Sequence, residues 1–157
     1  MHRESLETMA AMLDKYATDA STKTVLDIGA FDVNGTYRQL CESRGFVYTG
    51  ADLEAGPNVD RVMDGTWCDE QFDAVVSGQT LEHCENPFDL MGQICGHAKK
   101  LVIVIAPWFQ PLHRYPIDCW RFMPDGMERL IRHTGWVPIE VGMDHRDTFG
   151  VAIPPKS

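Results

Sequence analysis

Residues 25–40 read VLDIGAFDVNGTYRQL, and two readings of this stretch lead to two different folds. The Asn34-Gly35 pair between apolar residues is a strong signal for a tight β-hairpin, since both residues reach positive φ at little cost. Val25-Leu26-Asp27-Ile28-Gly29 reads instead as a buried strand entering a glycine turn, the opening of a nucleotide-binding βαβ unit. A hairpin would have to pair residues 27–30 with residues 37–40. The second segment, Tyr37-Arg38-Gln39-Leu40, has no β-branched residue and suits a helix better. The turn is therefore read as belonging to a ligand.

The flanking sequence extends this pattern. Leu6, Met9, Ala10, Leu13 and Tyr16 or Ala17 fall at helical spacing over residues 4–17, predicting an amphipathic helix packed on a sheet. After the strand at 24–28 and its glycine turn, a helix is expected over 36–44, stopped by Gly45. A second strand over 46–51 is closed by Asp52, a weaker one is placed at 60–63, and a clear apolar strand at 72–77. Phe88, Met91, Ile94 and Cys95 mark a helix leading to the most apolar strand, 101–106. Pro124 opens a further helix with Met127, Leu130 and Ile131 on its apolar face and Gly135 as its stop. Strands at 136–143 and 148–153 follow, joined by a short polar turn that makes them antiparallel. Near-continuous apolar strands alternating with helices predict an α/β fold, a doubly wound, mostly parallel sheet flanked by helices, with an antiparallel C-terminal strand pair.

The 157 residues are expected to form one domain, 1–157, with 44% hydrophobic and 24% charged residues. No apolar run reaches the roughly 18 residues of a membrane span. A net charge of −9 gives a surface that repels phosphate backbones and anionic lipid, so neither nucleic acid nor membrane is expected as a partner. The first twenty residues lack the uninterrupted apolar core of a signal peptide. Five cysteines, an odd number without a CxxC pair, fit reduced thiols and a cytoplasmic location. Cys84, Cys95 and His97 match no zinc spacing, and no metal site is expected.

A dinucleotide fold wants G-x-G-x-x-G, but Phe31 stands where its second glycine belongs, so NAD is poorly served. Asp27, ending the first strand, would repel a phosphate yet pair with an ammonium group. Asp52, ending the second, lies near the distance at which an acid accepts both ribose hydroxyls. Together the two acids suit a ligand with a ribose and a positive charge.

In VLDIGAFDVNG, TGADLE, FDAVVSGQTLEHCENP and LVIVIAPW, in that order, the chain resembles the class I S-adenosylmethionine-dependent methyltransferases, with their Rossmann-like sheet and terminal antiparallel pair. The resemblance spans nearly the whole chain and implies S-adenosyl-L-methionine as cofactor. It places Gly29 against the methionine moiety, Asp27 near its amino group and Asp52 on the ribose. Ala30, Phe31 and Asn34 in the turn, and Leu53 after Asp52, complete that wall. Met63 and Asp64 stand at the adenine, and Ser77 and Gln79 at the mouth of the pocket. Leu81-Glu82-His83 matches the Leu-Glu-His that opens the next helix in that group. One departure is plain: these enzymes usually carry a further glycine where Phe31 and Val33 stand.

Methyl transfer asks the protein mainly to align acceptor, methyl and sulfur. The segment APWFQPLHRYPIDCWRFMP, residues 106–124, follows a strand whose C-terminal end should meet the pocket and is too long for a simple connection. His113 or Asp118 is read as base or acceptor-orienting group, with His83, Arg114, Tyr115, Trp120 and Arg121 as candidate substrate-binding residues. The expected function is methyl transfer to a small-molecule or sugar-like acceptor. The alternative is a non-catalytic module that binds the cofactor or a partner protein.

Overall fold

The computed structural model of the chain describes residues 2–63 and 70–156. Seven strands form one sheet: β1 (Thr24–Ile28), β2 (Val47–Asp52), β3 (Arg61–Val62), β4 (Phe72–Gly78), β5 (Ala98–Pro107), β6 (Val137–Asp144) and β7 (Asp147–Ile153). Their order is β3-β2-β1-β4-β5-β7-β6, with β7 antiparallel to both neighbours and every other pairing parallel. Among the described residues four helices cover it: α1 (Arg3–Tyr16), α2 (Arg38–Glu42), α3 (Pro87–Gly96) and α4 (Pro124–His133).

The apolar strands are buried on both faces, which is why they read as continuous runs. Leu26, Ile28, Val75, Val102 and Val104 pack in one layer with Met91 and Ile94 of α3 and Met127 and Ile131 of α4. Val25, Ala74, Val76, Ile103 and Ile105 turn the other way, onto Met9 and Leu13 of α1 and Cys41 of α2. Among the described residues no helix is long and apolar enough to cross a membrane.

The turn at 34–35 follows the sequence expectation, and three other local features differ from it for physical reasons. The Asn34-Gly35 hairpin is absent: Gly35 has φ +121, and its N–H donates to Asp32 Oδ1 at 2.7 Å, so a side chain closes the turn. Helix α2 starts only at Arg38, because the wholly buried Tyr37 plugs the layer under α1, its hydroxyl 2.7 Å from Ser5 Oγ. Residues 81–83 form a separate 3₁₀ turn, and α3 begins after it, where Asn86 Oδ1 caps Phe88 N and Asp89 N and Pro87 occupies the first turn. Strand β4 runs one residue further than expected, to Gly78.

From β1 the chain builds outward in one direction through β2 and β3, and in the other through β4 and β5. The crevice at that reversal, beyond the carboxyl ends of β1 and β4, is where open α/β sheets bind ligands.

Candidate functional site

A cavity of about 1320 Å³ occupies this crevice, lined by the ends of β1 (Asp27 to Ala30), β2 (Asp52, Leu53) and β4 (Gly78, Gln79) and by the 110–117 loop. Drug-sized ligands fill roughly 300–1,000 Å³, so there is space for two small molecules side by side. Gly29 forms its sharpest corner. It sits at φ +86, and a Cβ there would come within 2.0 Å of Thr80 Oγ1. Gly29→Ala is therefore expected to cost on the order of 2–3 kcal/mol from strain and overpacking together. A lower urea midpoint at unchanged m-value would show it; a midpoint equal to wild type would refute the close approach.

Asp27 and Asp52 line the same cavity but differ electrostatically. Asp27 is 1% exposed; Tyr48 donates its hydroxyl to Oδ2 at 2.6 Å, while Oδ1 has no hydrogen-bond partner among the described residues. Burial pushes its carboxyl up to about 7; Tyr48 and Arg38 oppose the rise, and Asp52 adds to it. Asn58 Nδ2 donates in turn to the Tyr48 hydroxyl at 2.9 Å, fixing the hydroxyl proton toward Asp27. Asp52 is held by main chain: Oδ2 accepts Phe31 N–H at 3.0 Å and Oδ1 accepts Leu53 N–H at 2.7 Å. Each oxygen keeps a further lone pair for a ligand hydroxyl. The bulky Phe31 is accommodated because its ring lies over Gly56, where a Cβ would come within 2.2 Å of it.

Of the other residues read as cofactor contacts, Asn34, Met63 and Gln79 also line the cavity. Gln79 is locked at φ 60, its Nε2 donating to the buried Asp147 Oδ1 at 2.9 Å. Ser77 lies elsewhere. Because β4 extends through Gly78, Ser77 is still inside the sheet, and its hydroxyl donates to the Ile28 carbonyl at 2.7 Å. Asp64 lies outside the described residues.

The 106–124 loop divides its candidates into two groups. His113, Arg114 and Tyr115 reach the cavity, as does His83 from the 3₁₀ turn, whose ring meets that of His113 edge-on at 4.9 Å between centroids. Asp118, Trp120 and Arg121 do not line it. Arg121 grips both oxygens of Asp118, at 2.5 and 2.8 Å, and Asp118 also accepts the His113 N–H at 2.8 Å. The Arg121 guanidinium holds the Asp118 carboxyl well below the usual carboxylate range. Trp120 Nε1 donates to the Cys84 carbonyl at 2.9 Å, fastening the loop to the 3₁₀ turn.

Tyr48 was not singled out from the sequence, whereas Thr80 ends the 77–80 segment read at the pocket mouth and Glu82 belongs to the Leu81-Glu82-His83 match. Tyr48 orients Asp27; a phenol within an apolar parallel strand needs a polar partner, and that signal was available. Thr80 packs against Gly29. Glu82 is wholly buried, and burial pushes its carboxyl up to about 8. Its carboxylate and the His83 and His113 rings offer ligand atoms all within 4.8 Å of one another.

No protein-family model matches the sequence, and no curated protein is significantly similar to it. Solved structures do match the fold. The 1,6-didemethyltoxoflavin-N1-methyltransferase of Burkholderia thailandensis, with bound 1,6-didemethyltoxoflavin and S-adenosylhomocysteine, superposes with a TM-score of 0.76 at 15% identity, over 98% of this chain and 80% of that one. The magnesium protoporphyrin IX methyltransferase of Synechocystis PCC 6803, with bound SAH, gives 0.69 at 15% identity, over 98% and 84%. A chain from the complex of the Haloferax volcanii Trm112 methyltransferase activator with a methyltransferase gives 0.67 at 14% identity, over 99% and 100%. The chain thus has the Rossmann-like fold of S-adenosylmethionine-dependent methyltransferases.

Proposed function

We propose that the chain is an S-adenosylmethionine-dependent methyltransferase acting on a small-molecule or sugar-like acceptor. The observation that carries this reading is the buried Asp27 Oδ1, left without a partner beside a glycine corner, in the same cavity as Asp52. An orphaned buried carboxylate oxygen costs free energy unless something cationic meets it. The residues present fit the cofactor: Asp27 its ammonium, Asp52 its ribose hydroxyls, Gly29 and Ala30 the backbone approach to its amino-acid end, with Phe31, Asn34, Leu53, Met63 and Gln79 around it. S-adenosylmethionine supplies a sulfonium methyl, which passes to an acceptor lone pair as the carbon–sulfur bond breaks and its electrons stay on sulfur.

The chain's own part is alignment and proton handling. In this reading Arg114 pairs with an anionic group of the acceptor, Tyr115 stacks on it, and His83 and His113 flank the reacting atom; what supports it is that all four line the cavity. Asp118, Trp120 and Arg121 act behind them as positioning residues. The described cysteines are all free thiols, which suits a cytoplasmic enzyme.

Thermal shift with S-adenosylmethionine, S-adenosylhomocysteine and NAD tests the reading. At a hundredfold excess over Kd the first two should stabilise the chain by about 2.7 kcal/mol, roughly 5–10 °C in Tm, and NAD not at all. No shift with either sulfur ligand would leave a non-catalytic module; a shift with NAD alone would make it an oxidoreductase.

A further inference from the structure

Glu82 presents a second unsatisfied carboxylate, away from Asp27. It is 0% exposed, and among the described residues neither of its oxygens finds a hydrogen-bond partner from another residue. His83 Nε2 lies 3.5 Å and His113 Nε2 3.9 Å from its Oε1. In both rings the opposite nitrogen is already committed to a main-chain carbonyl: His83 Nδ1 to Ile117 O at 2.6 Å, His113 Nδ1 to Pro111 O at 2.9 Å. A carbonyl only accepts, so each Nδ1 carries a proton and each ring turns its Nε2 toward Glu82. Two imidazole nitrogens and a carboxylate thus converge on one point.

We propose that Glu82, His83 and His113 bind one divalent first-row transition-metal ion, with its remaining coordination positions open to the cavity. Ligands bonded at about 2.0–2.2 Å stand about 3.0–3.5 Å apart, so donor atoms already within 4.8 Å need only small side-chain movements to close on an ion. The Nδ1–H bonds to carbonyls are the outer-shell contacts that fix the tautomer of a metal-ligating histidine. Two imidazoles and one carboxylate favour zinc, cobalt, manganese or iron over magnesium or calcium, which prefer all-oxygen sites. Because His83 and His113 line the cavity, an ion there is reachable from the acceptor side. Resting on the methyl-transfer reading, this further implies an oxygen acceptor, whose hydroxyl the ion would hold and acidify.

The test is titration of chelator-treated protein with Co²⁺, followed by its visible d–d absorption, and with Zn²⁺ by calorimetry. One equivalent should bind saturably. His113→Ala, on the loop, and Glu82→Gln should each weaken binding at least about tenfold, whereas His145→Ala on the exposed terminal hairpin should not. Absence of saturable binding, or affinity equal to wild type in both ligand variants, overturns the site. S-adenosylmethionine binding measured on the same chelated sample separates the two ideas: cofactor binding without metal binding sinks this inference alone, and the reverse sinks the cofactor reading alone.

Discussion

Replacing Asp27 with asparagine is expected to weaken S-adenosylmethionine binding about a hundredfold while making the unliganded protein more stable above pH 7. Both effects come from the same desolvated carboxylate. Losing one partner of a buried, hydrogen-bonded charge pair typically costs 2–5 kcal/mol of binding, and each 1.4 kcal/mol is about tenfold in affinity. Without ligand, however, Asp27 is a liability. Its folded-state pKa of about 7 lies above the ordinary 3.8, so the folded chain holds a proton that the unfolded chain releases. Between those values stability falls as pH rises, and above about 7 the full penalty stands, on the order of 4 kcal/mol as an upper bound. Asparagine removes the charge and keeps the Tyr48 hydrogen bond, but it brings an amide N–H₂ that needs partners, so a net gain of about 1–3 kcal/mol is expected.

The same linkage gives the binding a pH dependence. An ammonium ligand selects the ionised carboxylate, so affinity should rise about tenfold per unit from pH 5.5 toward 7 and then level off. Neither Tyr48 nor Arg38 contributes to this slope: burial keeps Tyr48 protonated, and Arg38 remains charged. Calorimetry across pH should show the slope in wild type and a flat line in Asp27→Asn. Equal affinity in both proteins would remove Asp27 from the cofactor site.

The features legible in the sequence were those set by local chemistry. Strand ends with acids (Asp27, Asp52), a glycine corner, and the helix stops at Gly45 and Gly135, both at positive φ, need only nearest-neighbour rules. Ser77 shows the limit of such rules. Side-chain direction in a strand reverses with each residue, so extending β4 by Gly78 moves the mouth of the pocket to Gln79 and leaves Ser77 bonded across to β1. The grouping of Glu82 and His83 with His113 was not legible, because thirty residues separate the turn from the loop and no short spacing announces it. The opposite fates of neighbours in the 106–124 loop were equally hidden. Alternation fixes which way a strand residue points; nothing comparable orients His113 toward the cavity and Asp118 away from it.

That loop yields the second large effect. Arg121→Met should abolish most acceptor turnover, by about a hundredfold, while leaving cofactor affinity within a factor of two or three. Arg121 does more than neutralise Asp118: its guanidinium also donates to the Gln110 carbonyl at 3.1 and 3.3 Å, to Pro111 O at 3.3 Å and to Trp120 O at 2.7 Å. One side chain thus ties both ends of the 110–121 segment together. Removing it leaves the Asp118 carboxylate, whose side chain is 1% exposed, with the His113 N–H and the His113 Nδ1 at 3.4 Å as its remaining partners. Charge-assisted hydrogen bonds contribute about 1.5–3 kcal/mol each, so loss of the pair should raise the population of open loop by one to two orders of magnitude. His113, Arg114 and Tyr115 move with it, and so would one donor of the Glu82 cluster; Asp27, Gly29 and Asp52 stand on sheet ends and would not. Hydrogen exchange should therefore accelerate across 110–121 and not in β1 or β2, and Co²⁺ affinity should fall in parallel with turnover. Adding Asp118→Asn to Arg121→Met removes the unpaired charge and should recover part of the loop's protection. Wild-type exchange rates in Arg121→Met would show that packing of Trp120 and the prolines holds the loop without the ion pair.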